Sequence, residues 1–530
     1  VYILKACGSI GAIVEGKRIH DEIVSRNLLE ANVALGSALV DMYAKCGMLG
    51  KAQQVFERLS VQNIVSWNIL IASHAQHEQC QEAFKCFEQL QKEGFYPDAL
   101  TFVSLLKACG NTGAIDKGQQ IHYNHVTKDL LEEEISLGNA LVDMYAKFGL
   151  HSKARRVLEE LPIRNVVSWS ALVAGYAQQG QGHAALDCFG RMQSEGLSAN
   201  AITFICVLRA CGIVGAIGIG TCIHNEMASR GLLEKDIELG NALVDMYVKC
   251  GELARAHKVL SELPLRNIVS WSALIAGYAK HGNAEAAFDI YEKMGHDGIL
   301  PNEVTFVCIL TVCGSTGAAY KGLEIHDDLV RQGFEKDLIV GNSLIDMYAN
   351  CGSLDNSKTV FEKLLVRNII SWTALISGFA LLGDDNAFLL FNKMIRDGQT
   401  PNSITFISIL NACSHSGLVK EGETLFDEMR LVYCLTPTVE HYTCMIDLFG
   451  RAGHFDKVKA CLDKVPNSSQ LLLFRCVLGS CREWKNLKLG RWAFEQSLQL
   501  DETCGAAYIC MEKIYARACT ERETRNIECD

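Results

Sequence analysis

The chain has 530 residues, a formal charge of -11, 49% hydrophobic residues and only seven prolines. That length exceeds one ordinary core, and the composition excludes fibrous and disordered classes while suiting a chain of packed helices. The negative charge excludes a protein that grips duplex nucleic acid by bulk electrostatics, which needs a strongly basic face, but leaves room for a locally basic groove.

In chain order, residues 1-32 open at Val1 in the middle of a pattern, without a basic, Ser-rich leader, so any targeting segment is expected to lie outside this sequence or never to have existed. GAIVEGKR at 11–18 imitates a phosphate loop, but Arg18 stands where a metal-binding Ser or Thr is required and no strand precedes it, so a turn is expected. From residue 33 three series recur. VALGSALVDMYAKCG at 33 returns at 135, 237 and 338; IVSWNILIASHA at 64 returns at 166, 268 and 369; TFVSLLKACG at 101 returns at 203, 305 and 405. The Trp spacings are 102, 102 and 101, so self-similarity, rather than length, decides the architecture.

Each unit has an apolar stretch at helical spacing, a Gly-containing turn and a second amphipathic stretch, which predicts two antiparallel helices. In the unit from Ile64, the residues Trp67, Leu70 and Ile71, then Ala83, Phe84, Phe87 and Leu90, form two apolar stripes, closed by Gly94 and Pro97. One hairpin cannot bury both stripes, but stacked neighbours can, so the expected fold class is all-α, a right-handed α-solenoid superhelix of stacked helix-turn-helix repeats.

These motifs, NALVDMYAKCG-like short units such as SALVDMYAKCG at 37, SWSALIAGYA and KACG followed by G..IH, resemble the pentatricopeptide repeat family in its subclass of alternating long, short and Trp-bearing units, and the resemblance spans essentially the whole chain. It implies a partial long unit at 1-32 and an array of 13 units over 33-470, divided as 33-63, 64-98, 99-134, 135-165, 166-200, 201-236, 237-267, 268-302, 303-337, 338-368, 369-402, 403-438 and 439-470. Residues 471-504 resemble the extension motif that follows such arrays in the organellar RNA-editing branch, and 505-530 a degenerate or truncated second one.

In this family the fifth and last residues of a unit are credited with reading one base of single-stranded RNA. The resemblance assigns this role to Ser37 with Asn63, Asn68 with Asp98, Asn139 with Asn165, Ser170 with Asn200, Asn241 with Asn267, Ser272 with Asn302, Asn342 with Asn368 and Thr373 with Asn402. The family code then gives 5′-AUNCANCANCA-3′. Each N falls to a long unit, whose fifth residue (Val103, Ile205 or Val307) is apolar. Thr443 with Gln470 in the last unit is not decoded. Base-sandwiching residues implied at second positions are Val65, Val167, Val269 and Ile370, whereas Ala34, Ser136 and Glu238 in short units would clamp poorly. Asn at the end of a unit is also a favoured helix N-cap, so both roles compete for the same side chain.

The resemblance implies an RNA-recognition factor of mitochondrion or plastid that marks a site for C-to-U editing, with a deaminase-domain protein and other organellar editing factors acting in trans. No catalytic residue, metal or cofactor is expected in this chain. The H-x-E of a zinc deaminase occurs at His20/Glu22 and His224/Glu226, but no C-x-x-C exists to complete it, and both histidines belong to the recurrent IH of long units. The 23 cysteines are spread at equivalent places, as at Cys109, Cys211 and Cys313, and are expected to be reduced packing residues. No apolar run approaches the roughly 20 residues of a membrane span, so no membrane partner is expected. A helical-repeat adaptor for proteins, and a truncated, non-functional gene product, remain the alternatives.

Overall fold

The structure, a computed structural model, describes every residue except 27, 29–31, 60, 466–469, 485–486, 501–504 and 528–530; the side chains of 470, 472, 482–484 and 517–527 also lie outside the description. Among the described residues the chain is all-α, with no strand. It divides into two compact units, Val1–Leu274 and Ile275–Asp530, and the division falls inside the helix Ile268–Lys280.

Most repeats begin with a helix whose start is fixed by a side-chain N-cap, Ile135–Lys147 after Glu134 being an exception. Asn63, Asp98, Asn165, Asn200, Asn302, Asn368 and Asn402 have extended backbone, and each side chain accepts the N–H of the third residue of the helix that follows. Asn267 does the same for Ser270. At the other end of the long-unit helices, a left-handed residue closes the turn, as at Gly113 with φ 81, where only glycine lacks steric penalty. The second helix then folds back, giving pairs such as Ile64–Gln76 with Cys80–Lys92 and Ala201–Val214 with Ile217–Ser229.

In the first unit the helices Val33–Lys45, Ile64–Gln76, Ala99–Thr112, Ile135–Lys147, Val166–Gln178, Ala201–Val214 and Ile237–Lys249 pack each against the next, forming one layer, and their partners form a second. The second unit repeats this from Glu303–Thr316 through Leu338–Asn350, Ile369–Leu381, Ser403–Ser416 and Val439–Arg451 to Gln470–Trp484. Each is an α-solenoid of helical hairpins, in which apolar side chains are shared between neighbours. The tryptophans lie in that shared core: Trp67, Trp169 and Trp372 are among the largest fully buried side chains, and Trp67 meets Phe56 edge-on at 4.5 Å between ring centres.

The junction from a long to a short unit has its own chemistry. A Cβ at Gly16, Gly118, Gly220 or Gly322 would lie 2.5, 2.2, 2.6 or 2.6 Å from the sulfur of Met42, Met144, Met246 or Met347, so the glycine of the G..IH pattern admits the methionine of the DMYA pattern. Beside it, the recurrent histidine bonds the recurrent tyrosine: His20 Nδ1 lies 2.8 Å from the Tyr43 hydroxyl, His122 2.7 Å from Tyr145, His224 3.0 Å from Tyr247 and His326 2.7 Å from Tyr348. Burial lowers the pKa of all four histidines, and it pushes the phenols of Tyr145 and Tyr348 up to about 12.

A histidine whose folded pKa lies below its unfolded value near 6.5 binds fewer protons in the folded state, so its stabilising contribution is present above about pH 6.5 and is lost as pH falls through the lowered value. Thermal melts are therefore expected to shift downward between about pH 7 and pH 5. The His122→Gln/His224→Gln double variant should show a smaller shift over that window; an identical slope in wild type and variant would contradict the assignment.

The described cysteines are free thiols. Burial pushes Cys109, Cys211, Cys313 and Cys413 up to about 12, which keeps them protonated and poorly nucleophilic. No helix among the described residues is long and apolar enough to cross a membrane.

Candidate nucleic-acid interface

The N-caps and the fifth residues converge, because the last residue of one unit sits at the start of the helix that packs beside that unit's own first helix. In the first unit, Asn68 Nδ2 donates to both carboxylate oxygens of Asp98, at 2.9 Å each. Thr101 Oγ1 stands 2.5 Å from Asn68 Oδ1 and 2.8 Å from Asp98 Oδ1. Ser170 lies 2.6 Å from Thr203 Oγ1, which donates to Asn200 Oδ1 at 2.8 Å. In the second unit, Thr373 pairs with Thr405 at 2.7 Å, and Thr405 donates to Asn402 at 2.9 Å. Ser371 donates to Asn342 Oδ1 at 2.6 Å and reaches Asn368 Oδ1 at 3.0 Å. Ser272 bonds the Ile268 carbonyl, and Asn302 caps Glu303–Thr316.

Three fifth residues differ. Ser37 Oγ, Asn139 Oδ1 and Asn241 Oδ1 are buried with no hydrogen-bond partner among the described residues. Their units end on Asn63, Asn165 and Asn267, which cap their helices as described above. The capping role is therefore present at every named last residue. It does not exhaust the side chain, because capping uses the amide oxygen of asparagine and leaves two N–H donors. Thr443 donates to the Val439 carbonyl, and its sequence partner Gln470 has its side chain outside the described residues.

Apolar side chains flank these clusters in the open. Val65, Val167, Val269 and Ile370 are 54–57% exposed, all at the second position of a first helix. The long units carry the same feature, unnoticed in the sequence: Leu100, Ile202, Val304 and Ile404 are 54–61% exposed at the equivalent second position, as is Ile339 in one short unit. Their shared register with Val65 is the signal that finds them. A concavity of 390 Å³ is lined by Val103, Asn139, Val167, Ser170, Asn200 and Ile202, so a polar pair lies between two aliphatic residues from successive units. A smaller one, 220 Å³, holds Val65, Asn68, Asp98 and Leu100 with Asp41 and Lys45. A larger cleft of 790 Å³ lies away from all of them, among Asp355, Lys358, Asp384 and Lys393.

Charge beside the clusters is nearly balanced. Lys45, Lys147, Lys249 and Arg451 each pair with the aspartate four residues earlier, at 2.7, 2.9, 2.7 and 2.8 Å. The surface offers hydrogen-bond groups and apolar flanks more than an excess of positive charge. No group of three His, Cys, Asp or Glu side chains suited to a metal ion occurs among the described residues.

Similarity to known proteins identifies the family of the chain. The PPR repeat family matches residues 62–111, 164–212, 266–315 and 367–415, and the PPR repeat matches 37–64, 139–166, 241–268, 342–369, 404–433 and 440–468. A pentatricopeptide repeat-containing protein of Arabidopsis thaliana, named as mitochondrial, is 34% identical over 507 residues, 95% of this chain and 90% of that relative. One named as chloroplastic is 31% identical over 518 residues, covering 98% of this chain and 64% of its own length. Among solved structures, PPR10 from maize superposes with a TM-score of 0.59 at 18% identity, over 99% of this chain and 87% of that one. PPR10 in complex with an 18-nt psaJ RNA element gives 0.61 at 19% identity, over 99% and 82%. The structures share the fold, and the sequence matches settle the family: the chain belongs to the pentatricopeptide repeat family.

Proposed function

We propose that this protein binds single-stranded RNA in a sequence-specific way, one base per unit, and thereby marks a site for C-to-U editing in an organelle. The observation that carries the proposal is the recurring cluster of a fifth residue and a last residue set between exposed aliphatic side chains, as at Val167, Ser170, Asn200 and Ile202. The solved complex of a family member with RNA, and relatives named as mitochondrial or chloroplastic, support the ligand class and the compartment.

The chemistry of the last residue accounts for the choice of base. Uracil N3 and guanine N1 carry a hydrogen, which an acceptor-only carboxylate such as Asp98 can receive. Cytosine N3 and adenine N1 are acceptors, which the free N–H donors of Asn165, Asn200, Asn267, Asn302, Asn368 and Asn402 can satisfy. The fifth residue then sets size: asparagine leaves room for a pyrimidine, and the shorter Ser or Thr leaves room for a purine. The units give 5′-AUNCANCANCA-3′, with N at long units whose fifth residues offer no polar group. The aliphatic flanks of the Trp and long units would stack on the faces of neighbouring bases, an interaction that is indifferent to base identity, while Ala34, Ser136 and Glu238 leave one face of the base at their units without such a flank.

The chain itself supplies no catalytic group in this proposal. Residues 471–504, with the helices Gln470–Trp484 and Leu487–Leu500, recruit a deaminase-domain protein in trans. A gel-shift assay is expected to show the RNA 5′-AUNCANCANCA-3′ bound at least about 100-fold tighter than a scrambled strand of equal composition, which requires the scrambled strand to lose a net of only about 3 kcal/mol, three base contacts at about 1 kcal/mol each. Equal affinity for the two strands would overturn sequence-specific reading, and retained binding of helical peptides in place of RNA would favour a protein adaptor.

A further inference from the structure

The third residue of each first helix is Ser or Thr in every Trp and long unit from Ser66 to Thr405: Ser66, Thr101, Ser168, Thr203, Ser270, Thr305, Ser371 and Thr405. All eight are fully buried. As capping-box residues they give their backbone N–H to the preceding cap, and the hydroxyls of Ser66, Thr101, Ser168, Thr203, Ser270, Ser371 and Thr405 accept the cap's own N–H in return, which leaves each hydroxyl proton to be directed elsewhere. Their hydroxyls take one of two directions. Thr101, Thr203 and Thr405 reach across to the fifth residue of the preceding unit and also touch that unit's last residue, so that both groups of a pair are held by one hydroxyl. Ser66, Ser168 and Ser270 donate to the carbonyl of their own cap, at 2.8, 2.8 and 2.9 Å, with Ser168 and Ser270 a longer 3.4 and 3.5 Å from the cap's Oδ1, and none of the three bonds the fifth residue; Thr305 donates to Asn302 Oδ1 at 2.9 Å.

The three serines that turn away follow the units of Ser37, Asn139 and Asn241, which are the three fifth residues left with a buried, unpartnered oxygen. Ser371, the remaining serine after a short unit, turns the other way, and Asn342 has its partner. The correspondence has a physical basis. Threonine's branched Cβ leaves its hydroxyl fewer χ1 positions than serine's has, so the serine hydroxyl is the one more readily turned between acceptors.

We infer that this buried third-residue hydroxyl is a positioning residue for base selection: it locks the fifth and last residues of the preceding unit into one arrangement where it is directed at them, and leaves the pair adjustable where it is not. The inference rests on the base-reading role proposed above. Units ending in Asp98, Asn200 and Asn402 are the stringent readers, the unit of Asn342 is locked by Ser371, and those of Ser37, Asn139 and Asn241 tolerate mismatches.

The test measures dissociation constants for the full chain on four RNAs that differ only at the fifth base, read by Ser170 with Asn200. Wild type is expected to prefer adenine there. Thr203→Val keeps the side-chain shape and the capped N–H but removes the hydroxyl, and the preference for adenine should fall about five- to tenfold, the effect of one hydrogen bond. Thr203→Ser should restore most of the preference, which a merely structural role of the hydroxyl would not require. The converse substitution Ser168→Thr should raise discrimination between cytosine and uracil at the fourth base, and it decides the matter should Thr203→Val fail to fold. A wild-type chain blind to the fifth base overturns both the reading role and this inference. A discriminating wild type, with unchanged ratios in the folded Thr203→Val or Ser168→Thr variant, overturns the inference alone.

Discussion

Trp372→Ala is expected to cost about 3–5 kcal/mol of folding stability, measured by denaturant unfolding, because the residue is 1% exposed and packs edge-on against Phe361 at 4.6 Å. The neighbours cannot close over the void, since Leu375 and Ile376 on the same helix are themselves fully buried in the shared core. In a stack whose stability is a sum of unit and interface terms, the loss falls on one unit and its two interfaces. The unfolding transition of the variant should broaden or split, with the damaged region melting first. A single sharp transition at the wild-type midpoint would contradict the assignment of this side chain to the core.

The second large effect concerns recognition. Asn68→Thr is expected to move the preferred second base from uracil to guanine, a reversal of about 5- to 30-fold in relative affinity, the size expected when one or two hydrogen bonds of about 1 kcal/mol each come to favour the other base. The reasoning is that Asp98 remains and still demands a ring N–H, while the smaller side chain makes room for the second ring of a purine. The substitution also removes the two hydrogen bonds that Asn68 gives the Asp98 carboxylate, so overall affinity should fall as well. Competition binding with RNAs carrying U or G at that position reads the result. An undiminished preference for uracil would detach base choice from this pair.

Much of the architecture was legible in the sequence because it was written several times. Recurrence of IVSW, TFVS and ALVDMYA pointed to the hairpins, and the buried tryptophans followed from their place between apolar residues. The candidate readers were legible through family resemblance, and the structure gathers Asn68 with Asp98, and Ser170 with Asn200 through Thr203, into single clusters. Other features were not legible, for identifiable reasons. The third-residue Ser and Thr recur visibly, but the direction of a hydroxyl depends on which neighbour offers an acceptor, a matter of packing between units. The exposed Leu100, Ile202, Val304 and Ile404 read as ordinary apolar helix residues until the register of the cap shows which way they face. The IH histidines stand 22 or 23 residues from their tyrosines, beyond any local pattern. Residues 505–530 present one helix, Gly505–Ile527, whose later side chains lie outside the described residues, so the expectation of a shortened second extension motif there stands as a proposal.

Among the described residues the junction of glycine with methionine and histidine with tyrosine forms only where a long unit meets a short one. A short unit placed after a Trp unit would bring its methionine to a side chain that has no gap for it, and its tyrosine to a position without imidazole. The smallest segment that can be copied or excised without creating a mismatched seam is therefore the whole triplet. Growth of such a gene by unequal recombination is channelled into steps of about a hundred residues, and under the base-reading role proposed above an RNA site would lengthen three letters at a time, with every third letter blank.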